Sequence, residues 1–277
     1  LLNAYEKVLL IIDSICLPLV LQYPQQPLKR ALMKLAVVFI FLIGAAEAVT
    51  LFVDPVGGIV AFGLILLFAL LIPALKNDYY PSRLILSLSL VPMVRIVSLS
   101  MPLEDVPRIW WFPIMYAPLM LAAVIAALML GLSLRETGFN LRRPFTNLMV
   151  GISGIGLGLV EYFILKPEPL VTELTWQAAL VPALILLLTT GLVEEFIFRG
   201  VLQQTAVELL GKPGIVYVSL IFAVLHMGFL SVLDIIFVLG AGLYFGWVVY
   251  KTGSLTGVIL AHGLTNIVLF IVAPLIF

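Results

Sequence analysis

Long apolar runs separated by short polar breaks fill most of the chain. A helix needs roughly 20 consecutive apolar residues to cross a hydrocarbon core of about 30 Å. Windows of that length predict spans near 31–53, 56–75, 84–101, 110–132, 148–166, 177–200, 213–230, 232–250 and 255–277. Residues 8–22 are apolar but short, and they carry Asp13 and Pro18. They read as an interfacial or re-entrant helix rather than a tenth span, joined to the rest by Tyr23-Pro24-Gln25-Gln26-Pro27. The expected fold is all-α, a polytopic membrane bundle of about nine transmembrane helices.

Composition fits that pattern. Apolar residues make up 63% and charged residues 11%, against roughly 45–50% and 25% in soluble domains. Mean hydropathy is +1.21. A soluble core could not bury so much apolar surface. Lys and Arg number 15 and so do Asp and Glu, for a net charge of zero. No basic cluster is dense enough to suggest a nucleic-acid partner. Cys16 is the only cysteine, which excludes disulfides within the chain and a cysteine metal cluster. The sequence opens at Leu1 without a charged-apolar-small cleavage pattern, so no signal peptide is expected.

Basic residues gather at alternate ends of the spans. One side collects Lys29, Arg30, Lys34, Lys76, Arg83, Arg135, Arg142, Arg143, Arg199, Lys212 and Lys251; the other has Arg108 and Lys166. Asp54, Glu104, Asp105, Glu168 and Glu173 lie in the second set of loops. The asymmetry orients the first set toward the cytoplasm. Short loops and the absence of an Asn-x-Ser/Thr acceptor lean toward a prokaryotic plasma membrane, with the endoplasmic reticulum membrane as the alternative. Residues 134–147 form the longest polar loop on the expected cytoplasmic side. They are the expected boundary between an N-terminal membrane bundle, 1–144, and a C-terminal core, 145–277. Gly151, Gly154 and Gly158 on one span, and Gly242 and Gly246 on another, predict close helix packing.

Against this background a few polar residues stand out. Glu194 and Glu195 are adjacent within an apolar span, and the only two histidines, His226 and His262, lie in later spans. A charge at bilayer depth costs about 3 kcal/mol even on lenient scales, so such residues mark function by default. Neighbours on a helix differ by about 100°, so the two acids cannot face one point equally. Glu195 and Arg199 are four apart in the favourable order. The economical division lets Arg199 neutralise and orient Glu195, leaving Glu194 to face a cavity near the cytoplasmic end of its helix. Phe222 shares a face with His226, and Asn266 with His262. Three helices then supply an unpaired carboxylate, two imidazoles and a carboxamide. Asp234 is expected to cap the eighth span. Glu47, Arg95 and Glu161 are expected to include a structural ion pair of Arg95 with one acid, the rival being a route for protons or ions.

These spacings resemble the CAAX protease and bacteriocin-processing family of intramembrane glutamic endopeptidases, whose eukaryotic member is the type II CAAX prenyl protease. The family pattern is a Glu-Glu pair with Arg four after the second Glu, then Phe-three-residues-His, then His-three-residues-Asn or Asp. Glu194, Glu195 and Arg199 meet the first part, Phe222 and His226 the second, His262 and Asn266 the third. The resemblance covers roughly 145–277; residues 1–144 carry no such motif. It implies hydrolysis of a peptide bond near the cytoplasmic membrane face without a covalent intermediate. Glu194 would activate water, assisted by His226, while His262 and Asn266 would form an oxyanion hole. Glu195 and Arg199 would support them, and Phe222 would shape the cavity. No cofactor is implied. The expected partners are the lipid bilayer and a peptide or protein substrate, prenylated or not. Two other readings stand beside this one. Two His and a Glu make a credible zinc ligand set, although no His-Glu-two-residues-His helix is present. A non-enzymatic transporter or immunity factor is the third, weakened by the lack of two repeat halves.

Overall fold

The structure, a computed structural model, describes residues 25–75, 79–140 and 142–277. The expected helix at 8–22, with Cys16, and the loop residue Lys76 lie outside the described residues. Helices account for the regular structure of the described residues. Eight are long and apolar enough to cross a membrane. They are α1 (Gln26–Phe52), α2 (Pro55–Leu75), α3 (Tyr79–Ser100), α4 (Arg108–Met129), α5 (Pro144–Leu165), α6 (Trp176–Leu210), α8 (Val232–Thr252) and α9 (Thr256–Ile276). Between α6 and α8 lies the shorter apolar helix α7 (Pro213–Phe229).

Local chemistry explains several ends. Pro27, Pro144 and Pro213 fall in first turns, where a missing N–H costs nothing. Ser231 caps α8 by accepting from the Asp234 N–H at 3.2 Å. This corrects the expectation that Asp234 is the cap: it sits in the first turn, fully buried, and neither carboxyl oxygen has a hydrogen-bond partner. Within α7 the regular α-helix ends at Val224, and the chain tightens into a 3₁₀ turn at Met227–Phe229 before turning at Leu230, whose φ is +53°.

The longest departure from the hydropathy reading is α6. It runs 35 residues, to Leu210, where the apolar window ended near 200. Arg199, Gln203, Gln204 and Glu208 lower the hydropathy of its last third, but a helix backbone satisfies itself whatever its side chains. Glu194 therefore stands near the middle of α6 rather than near its end.

Small residues bring helix axes together around the site. A Cβ on Gly154 or Gly158 of α5 would run into the α9 backbone at Ala261 or Thr265. Gly191 of α6 approaches the same helix, 2.8 Å separating its Cβ position from the Ile259 carbonyl oxygen. Thr265 Oγ1 also donates to the Gly154 carbonyl at 3.1 Å. The tight packing expected of the α5 glycines is present, and it clamps the helix that carries His262 and Asn266.

One buried apolar cluster includes Leu32, Phe62, Leu88, Ala123, Phe198 and Ala261, so helices on both sides of the expected boundary share a core. The loop at that boundary is docked. The Leu255 N–H donates to the Gly138 carbonyl at 2.9 Å, and Ser254 and Thr256 hydroxyls donate to the Asn140 carbonyl at 3.0 and 2.9 Å. Within the loop Ser133 donates from its hydroxyl and its N–H to Glu136, holding that exposed carboxyl below the ordinary glutamate range. Arg83 joins this end by donating to Leu130 O and pairing with Glu208 at 2.8 Å.

Candidate active site

The helix that carries the acids is not a regular α-helix. Leu187–Glu194 and Phe196–Leu202 are π-helical, with Glu195 between them. Such wide turns are rare and recur at functional sites. Thr189 and Thr190 precede the acids and donate back to the carbonyls of Ile185 and Leu186 at 2.6 and 2.7 Å. That back-bonding loosens the regular ladder where the wide turn begins.

The two glutamates diverge as their helical offset requires. Glu195 is fully buried. Its Oε1 accepts from Arg199 Nη1 at 2.9 Å and from His262 Nδ1 at 2.8 Å. Arg199 is only 2% exposed, and its guanidinium lies over the Phe222 ring, 4.5 Å from the centroid. Low exposure matters here: a buried guanidinium without its carboxylate would be a stranded charge. Glu194 points elsewhere. Its Oε1 accepts from the Tyr116 hydroxyl, and its Oε2 lies 3.8 Å from His262 Nε2. His262 thus stands between the two acids, bonded to one and close to the other.

His226 is held differently. It falls where α7 unwinds, with φ −90° and ψ 1°, in the sparsely populated bridge region frequented by active-site residues. Its Nδ1 lies 2.8 Å from the Phe222 carbonyl oxygen. A carbonyl only accepts, so Nδ1 carries the proton and the neutral ring offers Nε2 as an acceptor. The imidazole packs against Phe222 and Phe229.

A cavity of about 230 Å³ joins these groups. Glu194, Phe222, His226, His262 and Asn266 all line it, whereas Glu195 and Arg199 lie outside the lining. Seven phenylalanines, at 112, 198, 222, 229, 237, 245 and 270, supply much of its wall. The structure places Glu194, Phe222, His226, His262 and Asn266 at one cavity and pairs Glu195 with Arg199 behind it.

Helices outside the motifs also line the cavity, and among their residues are Arg95 of α3, Tyr116 of α4 and Glu161 of α5. Arg95 donates from Nη2 to Glu47 Oε2 at 2.9 Å, which is the structural pair expected of it. Charge and helix depth pointed to a pair with one of two acids, and the structure gives Glu47. Glu161 is left at the cavity wall. Tyr116 was not legible as a site residue, because one tyrosine in an aromatic-rich span carries no spacing signal. A hydroxyl well inside an apolar span was the sole hint. Among the described residues, no group of three or more His, Cys, Asp or Glu side chains is arranged to hold a metal ion.

Residues 176–268 match the family model of type II CAAX prenyl endopeptidase Rce1-like proteins. That stretch holds both glutamates, Arg199, Phe222, both histidines and Asn266, so over it the chain is similar to a class of membrane endopeptidases. The match leaves α1–α5 uncovered, including Arg95, Tyr116 and Glu161. The comparisons found no match among curated proteins and none among solved structures.

Proposed function

We propose that the chain is an intramembrane endopeptidase that hydrolyses a peptide bond with water activated by Glu194. The observation that carries this reading is the convergence of Glu194, His226, His262 and Asn266 on one cavity, with Glu195 withdrawn behind it by Arg199 and His262. The partial family match supports it.

In this mechanism the Glu194 carboxylate takes a proton from water as the oxygen attacks the scissile carbonyl carbon. His226 Nε2, free to accept, helps to hold that water. Negative charge develops on the carbonyl oxygen, and donors already in place stabilise it without rearranging. Asn266 supplies its amide N–H. His262 supplies Nε2–H in its doubly protonated form, since Nδ1 already donates to Glu195. Collapse of the tetrahedral adduct breaks the C–N bond, and the proton held by Glu194 passes to the leaving amine. The products are one free carboxyl and one free amine, and no covalent enzyme intermediate forms. The substrate is a peptide or protein segment that reaches the cavity from the membrane or the cytoplasm.

The test is turnover of a panel of prenylated and unprenylated peptides by purified protein in detergent. Glu194→Gln should abolish turnover while the protein still elutes as folded. Asn266→Ala should lower kcat by roughly 10²–10³ with a smaller change in KM. Activity should survive thorough chelation. Full turnover by Glu194→Gln would sink the assignment, and turnover lost on chelation and restored by zinc would favour a metal mechanism instead.

A further inference from the structure

We propose that Tyr116 is a positioning residue for Glu194, and that α4 thereby completes a site whose motif residues all lie on later helices. The inference rests on the reading of Glu194 as the base. It adds a part of the machinery that lies outside the family-matched segment and carries none of its motifs.

The geometry begins with what Glu194 lacks. Arg199, the nearest cation on its own helix, is committed to Glu195. Among the described residues, Tyr116 is the only side chain that hydrogen-bonds Glu194. A glutamate has three side-chain torsions, and a hydrogen bond to one oxygen selects among them. The tyrosine hydroxyl takes Oε1. That bond leaves Oε2 as the oxygen directed toward His262 Nε2, 3.8 Å away. One oxygen is anchored and the other is presented, which is the arrangement proton abstraction needs: a fixed lone pair within reach of one bound molecule.

The anchor is itself well held. Tyr116 is the third residue after Pro113 and the second before Pro118 on α4. Each proline fixes its own backbone φ and removes one backbone donor. The ring is a stiff arm with two torsions, and Phe112, one turn earlier on α4, also lines the cavity. A phenol hydroxyl inside an apolar span is costly unless bonded, and the partner it has is the base.

A purely structural role would predict a loss of stability on removing the hydroxyl. A positioning role predicts a loss of kcat in a protein that remains folded. The experiment compares the full chain in detergent with Tyr116→Phe, Tyr116→p-aminophenylalanine and Glu194→Gln, using the cleaved peptide from the panel. Tyr116→Phe should reduce kcat about 10- to 100-fold, the range for one bond to a charged group. KM should stay within about twofold, with elution and thermal unfolding unchanged. The amino variant restores a donor at the same place, and kcat should recover most of the loss.

Wild-type kcat in Tyr116→Phe beside an inactive Glu194→Gln would overturn this inference alone. So would a change confined to KM, or no recovery with the amino group. Full turnover by Glu194→Gln would overturn both this inference and the function it rests on. Should Tyr116→Phe fail to fold, 3-fluorotyrosine at position 116 keeps the volume and the hydroxyl while altering donor strength. An altered kcat with unchanged KM then supports the role, and an unaltered kcat overturns it.

Discussion

Two neighbouring glutamates with different partners make unlike substitutions informative. Glu195 holds both Arg199 and His262 through one oxygen. Replacing it with Gln keeps the shape but strands the guanidinium of a buried side chain. Breaking a buried pair in this way costs about 3 kcal/mol or more. Glu195→Gln should therefore lower the unfolding temperature in detergent as well as turnover, whereas Glu194→Gln should lower turnover alone. Equal thermal stability of the two variants would contradict the division. The Glu195–Arg199 pair was legible in the sequence because a four-residue spacing fixes it within one helix. The bond from His262 to Glu195 was not, because no spacing reports which face of α6 meets α9. Nor was Tyr116: its role is defined by a partner on another helix, and nothing in its own neighbourhood marks it.

At the level of helices, the spans could be read closely because a membrane demands length and apolarity together. Eight helices meet that demand among the described residues, and α7 is a shorter ninth. The last third of α6 and the 3₁₀ turn within α7 were less accessible. Polar side chains hid the first, and the second is a change of backbone winding inside an apolar run. The glycines were legible as packing sites, and the structure separates those in contact from those in open space. Gly154→Val drives a side chain into the Ala261 backbone, while a Cβ on Gly156 meets nothing within 4 Å. Overpacking costs about 1–3 kcal/mol and displaces what it touches. Gly154→Val should thus lower both stability and turnover by moving the helix that carries His262, and Gly156→Ala should leave both near wild type. Comparable loss in the two variants would show that α5–α9 contact does not hold the site.

For the molecule as a whole, two sets of contacts tie loops and helix ends together on the side that carries the basic set. Arg83 meets Leu130 and Glu208, and the loop at 138–140 meets the turn before α9. By the charge rule this is the expected cytoplasmic end. With Cys16 replaced, single cysteines in 134–147 should be labelled only from the cytoplasmic side, and those in 167–176 only from the other. Because 138–140 is docked, the most reactive positions should be those facing solvent, such as Arg135 and Arg142. Reversed labelling would refute the orientation and the cytoplasmic access that goes with it.

The length of α6 has a consequence of its own. At about 1.5 Å per residue, 35 residues extend roughly 50 Å, well beyond a hydrocarbon core of about 30 Å. Such a helix either leans or pushes its polar end, with Gln204 and Glu208, out into water. Glu194 lies near its middle and Tyr116 on a helix of ordinary span, so any change of lean slides one against the other. The surrounding lipid then becomes a tuning element for the chemistry. In vesicles of graded acyl-chain length, kcat should pass through a maximum and fall on either side, with peptide affinity less affected. A flat profile would mean that the bundle holds the angle of α6 whatever the thickness of the bilayer.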